Sequence, residues 1–172
     1  GAELNAQCRK ANMATKTNDK PSATPRTRYE DDLYTWVQEQ VRLLRAGRLS
    51  EVDAQNVAEE LSDVGKEQYD KLESSIAILT MHLLKWEHQP RKRSRSWELT
   101  IKEQRRRIAK LLKKNPGLKS DLEEVVADGY ADGRSRALVE TNLAYDIFPE
   151  ACPYSFEEMM TREIVFVEKR AR

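Results

Sequence analysis

Between Tyr69 and Trp86 apolar side chains recur at steps of three, four, three, four and three: Tyr69, Leu72, Ile76, Leu79, Leu83 and Trp86. That period lays all six along one face of an α-helix. Toward its end Ile78, Met81 and Leu84 fill other sectors, so this half is expected to be surrounded by neighbours and to act as the central helix. Pro90 ends it. The same reading predicts a first helix starting near Tyr29 to Asp32, with three acidic residues at its positive end, and stopping at Ala46 before Gly47. Its apolar side is Leu33, Trp36, Val37 and Leu44. Ser50 with Asp53 resembles a capping box for a second helix through Val57, Leu61 and Val64, and Gly65 marks a stop or kink. A fourth helix is expected from Ser94 or Ser96, with a seam of Trp97, Ile101, Ile108 and Leu111, ending before Asn115 and Pro116.

A fifth helix, from about Leu118 to Glu140, carries Gly129 and Gly133 one turn apart. Two glycines inside a helix cost about 1 kcal/mol each against alanine, and close approach of another helix would compensate. FPEACPYS reads as a loop, and Ser155 with Glu158 as a capping box for a short terminal helix through Met159 and Met160. The pattern is all-α: a single-domain bundle of about five helices plus a short C-terminal helix, over residues 29–162. Residues 1–28, rich in Thr, Asn, Lys, Ser and Pro, read as a flexible tail in which Met13 is a candidate natural start, and 163–172 as a C-terminal tail.

Composition agrees with this and removes several classes. Hydrophobic residues are 39% and charged residues 34% of the 172, with six Gly and six Pro, a balance suited to amphipathic helices rather than a many-turned sandwich. Cys8 and Cys152 lie at opposite ends without CxxC spacing, which predicts neither a disulfide framework nor a cysteine metal site and fits the cytoplasm. The longest charge-free apolar run, Ser74 to Leu84, is about half of the roughly 20 residues that span a bilayer, so no membrane partner is expected.

As a set, YEDDLYTWV, EVDAQNVAEEL, HLLKW followed by QPRKRSRSWELTIKEQRRRI, NPGL, GYADGRSRA, ETNL and FPEACPY resemble the bacterial domain-of-unknown-function family numbered twenty-nine, over about residues 29–160. The resemblance implies an α-helical fold and no activity, so it assigns no catalytic residue. The chain departs from that pattern at Gly117 and Gly129, where Ser and Ala-like residues are expected.

Charge adds a further feature. A formal net charge of +1 conceals blocks: residues 29–84 carry five basic and twelve acidic residues, 85–114 carry twelve basic and three acidic, and 115–160 carry three basic and ten acidic. The basic block gathers Arg91, Lys92, Arg93 and Arg95 in the turn before the fourth helix, and Lys102, Arg106, Lys110 and Lys113 in a stripe opposite its seam. Such a stripe could follow a phosphate backbone of RNA or DNA, with Trp86 or Trp97 stacking on a base if exposed. The plainer reading is a solvated helix face, its charge balanced within the fold.

A catalytic alternative centres on His82 as general base, with Lys85, Arg95 and Arg105 steadying negative charge and Glu59 or Glu60 as acidic helper, as in metal-independent cleavage of RNA. It requires helix packing to bring those side chains together. No metal or other cofactor is expected: facing Glu-x-x-His pairs are absent, and Glu87 and His88 are adjacent, about 100° apart on a helix. GxxxxGK[ST], GxGxxG, HExxH and GxSxG are also absent. The leading expectation is a non-enzymatic module contacting a polyanion, RNA or DNA. A third possibility is docking to an acidic protein or to a second copy of the chain.

Overall fold

A computed structural model describes residues 26–167. The expected tail up to residue 25, with Cys8 and Met13, lies outside the described residues, as do residues 168–172. Five α-helices are found, α1 (Leu33–Arg45), α2 (Ala54–His88), α3 (Arg95–Lys114), α4 (Leu122–Thr141) and α5 (Phe156–Thr161), joined by short 3-10 turns; no strand occurs among the described residues. None of these helices is long and apolar enough to cross a membrane.

The chain divides into two compact units, with the boundary at Asn56 and Val57 in the first turn of α2. In the first unit the Asp32 side chain accepts the Thr35 N–H to start α1, and Gly47, at φ +68°, ends it in the left-handed conformation that glycine adopts without penalty. The face that becomes buried is Trp36, Gln40 and Leu43; Leu33 and Leu44, expected on the apolar side, are exposed. Polar chemistry explains the shift. The Trp36 indole donates to Asp53 at 3.3 Å, and the Gln40 carbonyl accepts the Asp53 N–H at 2.9 Å. Asp53 also accepts the Asn56 N–H, so it occupies the start of α2, and Ser50 sits in the 3-10 turn Leu49–Glu51 instead of forming a capping box. Thr27, expected in the tail, donates to Glu39 through both its backbone N–H and its hydroxyl.

The second unit is organised by the remainder of α2. The expected second and third helices are one 35-residue element, and Gly65 is neither a stop nor an end. A helical glycine costs about 1 kcal/mol, which does not by itself end a helix. The seam read from the sequence forms the main core: Leu72, Ile76, Leu79, Leu83 and Trp86 pack with Ile101, Ile108 and Leu112 of α3, Val125 of α4 and Met159 of α5, with Tyr69 at the edge. A second cluster joins Met81 and Leu84 to Tyr130 and Ala137 of α4 and to Phe148 in the following loop. Ser94 caps α3 by accepting the Trp97 N–H at 3.3 Å. Leu118 falls in a 3-10 turn, so α4 starts at Leu122, four residues later than its pattern suggested. At its far end Asn142, in the left-handed conformation, terminates it.

The two α4 glycines lie where α4 meets α2. A β-carbon at Gly129 would be 2.8 Å from Ile76 Cγ2 and 2.9 Å from the Glu73 carbonyl oxygen; one at Gly133 would collide with Thr80 Oγ1 and lie 2.5 Å from the Ala77 carbonyl oxygen. The close approach inferred from their spacing is present. At Gly129, too, an alanine has no room. The Ser155 and Glu158 capping box of α5 is formed reciprocally. Beyond it the chain continues irregularly but is not frayed as far as Phe166. Ile164 is buried, Phe166 packs on the core, and the Phe166 N–H donates to Glu98 at 3.3 Å.

Candidate functional site

The C-terminal end of α2 carries the densest chemistry of the second unit. Lys85, 7% exposed, sends its ammonium between two helices: Nζ lies 4.5 Å from the Trp97 ring centroid on α3 and donates to the Glu140 carboxylate on α4. A buried lysine needs such company, because an isolated ammonium taken out of water is strongly destabilised. One turn earlier, His82 is half-buried and its Nδ1 is 2.9 Å from the Ile78 carbonyl oxygen. A carbonyl can only accept, so Nδ1 carries the proton and Nε2 the lone pair. Burial first, then the Lys85 charge, lowers the His82 pKa; the Ile78 carbonyl and Glu140 act the other way.

That direction has a testable sign. Because the folded-state pKa lies below the ordinary 6.5, the unfolded chain binds the proton more readily, and the stability tied to neutral His82 is complete above about pH 6.5 and lost as pH falls through the folded value. Glu98, Glu103 and Glu158 have carboxyl pKa values held below their ordinary ones by hydrogen bonds, so they titrate beneath this window. The denaturation midpoint is expected to fall between pH 7.5 and 5.5, and to fall less in His82→Gln. Parallel pH profiles of the two proteins would remove His82 as the cause.

The catalytic constellation does not assemble around this histidine. Because α2 is continuous, Glu59 and Glu60 stand 23 and 22 residues before His82, about 33–35 Å away along the same helix. Glu140, unforeseen, is the carboxylate near Lys85. Arg105 faces α5, where its Nε donates to the Met159 carbonyl at 2.7 Å; its Nη2 is sealed and unpartnered, and burial followed by the Arg162 charge lowers its pKa. Arg95 is exposed at the first position of α3. The Cys152 thiol donates to the Tyr154 carbonyl, and burial pushes its pKa up, which favours the less nucleophilic protonated form. Among the described residues no three His, Cys, Asp or Glu side chains are placed to hold a metal ion.

The basic block separates into paired and unpaired cations. Arg93 turns inward: its Nε donates to the Trp86 carbonyl at 2.7 Å in the last turn of α2, and its guanidinium lies 5.0 Å from the Trp86 ring centroid. Lys102 pairs with Glu98, and Arg106 and Arg107 share Glu103. Arg91, Lys92, Arg95, Lys110, Lys113 and Lys114 are exposed, and their side chains make no hydrogen bond or ion pair among the described residues. The free charge therefore lies at the two ends of α3. Between Arg95 and Lys113 it spans about 27 Å of helix. Trp86 is 5% exposed, while the half-buried Trp97 packs on the core with the Lys85 ammonium over its ring.

Alongside this surface α2 and α3 leave an open groove of about 600 Å3, with Arg107, Lys110 and Lys114 on one wall, Glu67, Asp70 and Lys71 on the other, and Ile78 and Leu111 in its lining. Gln104 also lines it. Only 5% exposed, Gln104 has no hydrogen-bond partner among the described residues, and its Oε1 is sealed from solvent. The sequence held one sign of it. Gln104 occupies the missing position of the α3 seam, between Ile101 and Ile108, where a buried apolar residue would continue the period.

Comparison with curated proteins finds no match, and none is found among solved structures. The model of the family described as Domain of unknown function DUF29 matches residues 28–165, which include α1 to α5 and the basic turn and helix described above. That span covers most of the sequence and every described helix, and on it the chain belongs to the DUF29 family.

Proposed function

We propose that this protein is a non-enzymatic, cytoplasmic binding module that contacts a polyanion, RNA or DNA, through the two ends of α3 and the turn before it. The observation that carries this reading is the set of exposed cations whose side chains make no hydrogen bond or ion pair among the described residues, Arg91, Lys92, Arg95, Lys110, Lys113 and Lys114, of which Arg95 lies near enough to Glu98 to lower its pKa. Lysines in the last turn of α3 also interact favourably with the helix dipole, but that accounts for neither Arg91 nor Lys92, which precede the helix. Phosphate contacts of this kind give affinity without reading sequence. Against a ribonuclease-like activity stands the engagement of Lys85 and Arg105 in packing and the distance of Glu59 and Glu60 from His82.

The test is binding of labelled single strands across a salt series by fluorescence anisotropy. With about five phosphates neutralised, the logarithm of affinity is expected to fall against the logarithm of salt with a slope near −3.5. Arg91→Gln, Lys110→Gln and Lys113→Gln together should flatten it by about 2, while Lys102→Gln and Arg106→Gln should change it little. Equal effects of the paired and unpaired sets would sink the assignment. Retention by polyglutamate but by no nucleic acid would overturn the RNA or DNA reading and point to an acidic protein as the partner of the same cations.

A further inference from the structure

We propose that the groove between α2 and α3 seats an unpaired nucleotide, which makes the polyanion a single strand. This inference rests on the reading above and adds a specific receptor to it. Three features of the groove converge. Its α3 wall presents Arg107, Lys110 and Lys114, spaced three and four residues apart and so on one face, two of them without an ion-pair partner. On the opposite wall Glu67 is neutralised by Lys71 at 2.7 Å, leaving Asp70 as that wall's one unpaired carboxylate among the described residues and positive charge in excess. At depth, the side chain of Gln104 is 5% exposed and its Oε1 has no hydrogen-bond partner among the described residues.

An unsatisfied buried amide oxygen is destabilising by about 1–3 kcal/mol, a cost relieved when the side chain turns its Oε1 out of the sealed position toward a donor on a ligand in the groove. Rotation of the terminal amide exchanges its carbonyl and NH2 ends, so Gln104 can present either to an occupant. A nucleobase edge offers that alternation of donors and acceptors, and its flat body suits the apolar surface of Ile78 and Leu111. The phosphates attached to it would meet Lys110 and Lys114. A volume of about 600 Å3 falls within the range of roughly 300–1,000 Å3 in which small-molecule sites occur. A duplex cannot seat a base in this groove, because its bases are stacked and their Watson–Crick edges paired. Trp86 is buried and Trp97 packs on the core, so the groove is the more open place for a base.

The experiment compares short labelled RNA and DNA single strands of one mixed sequence with the corresponding duplexes. Wild-type protein is expected to bind single strands more tightly than duplex at equal salt, and the ribose and deoxyribose arms identify which strand it accepts. Gln104→Met should weaken single-strand binding roughly three- to tenfold, leave duplex binding and the salt slope unchanged, and preserve or raise the melting midpoint, since an apolar replacement removes the unbonded amide. Lys110→Glu with Lys114→Glu, whose folding is checked by the melting midpoint because Lys114 lies at the negative end of the α3 dipole, should abolish the preference for single strands. Unchanged single-strand affinity in Gln104→Met, or equal binding of single strand and duplex by the wild type, would overturn the groove assignment while leaving the polyanion surface standing. A wild-type protein that ignores every nucleic acid at low salt would overturn both.

Discussion

Gly133→Ala is expected to lower the melting midpoint by about 10 °C, although the same change at Gly65 should raise it slightly. Both glycines are inside long helices, and alanine is favoured over glycine in a helix by about 1 kcal/mol. Their surroundings reverse the outcome. Nothing lies within 4 Å of a β-carbon built at Gly65, whereas at Gly133 it meets Thr80 Oγ1 and the Ala77 carbonyl oxygen. The Ala77 oxygen belongs to the α2 backbone and cannot rotate aside, and Thr80 is fully buried with its hydroxyl bonded to the Ile76 carbonyl at 2.9 Å. Relief requires α2 and α4 to separate, loosening Ile76, Val125 and Tyr130 together. Overpacking of this kind costs typically 1–3 kcal/mol and occasionally more, and for a chain of this length about 3 kcal/mol corresponds to roughly 10 °C. Thermal unfolding of the two single variants side by side is the measurement. An unaltered midpoint in Gly133→Ala would mean that the crossing opens freely.

Glu140→Ala should cost about 2 kcal/mol, and most of that loss should be recovered when Lys85→Met is added. Removing one partner of a fully buried ion pair costs about 3–5 kcal/mol because it strands the other charge. The figure is reduced here because the Glu140 side chain is 48% exposed and screened by water. Lys85 itself is enclosed, and once Glu140 is gone only the Trp97 ring faces its ammonium. Methionine keeps most of the stem that packs between the helices and discards the charge. Lys85→Met alone should therefore be close to neutral. Chemical denaturation of the four proteins in a double-mutant cycle reads the coupling directly. If Glu140→Ala and Lys85→Met simply add, the pair is not coupled and Lys85 is satisfied by Trp97 and solvent alone.

These two sites also show what the amino-acid order discloses and what it withholds. The crossing at Gly129 and Gly133 was readable because two residues of poor helix propensity, one turn apart, require a reason, and close packing is the usual one. Ser94, and Ser155 with Glu158, were readable because a helix start has unsatisfied N–H groups and few side chains answer them. Gly65 misled because a penalty of about 1 kcal/mol cannot by itself end a helix whose flanks both continue. The partner of Lys85 was beyond reach: Glu140 is 55 residues away, and no local period connects them. Gln104 was visible only as a gap in the α3 seam, which looks the same whether the position is idle or in use. The basic block was legible in full as charge, yet which cations are free depended on rotamers, since Glu98 and Glu103 claim three of their neighbours.

From Leu61 to Glu67 every residue of α2 is exposed, including Leu61 at 66% and Val64 at 57%, and Gly65 lies among them. This stretch keeps its helical hydrogen bonds with no apolar burial to reinforce them, while the turns from Leu72 onward are locked into the core. A helix so supported does not unwind from its ends alone. It can open in the middle at little cost in buried surface, so its amide protons should exchange with solvent well before those of the turns that follow, and the longest element of the fold behaves as two thermodynamic segments under one continuous ribbon.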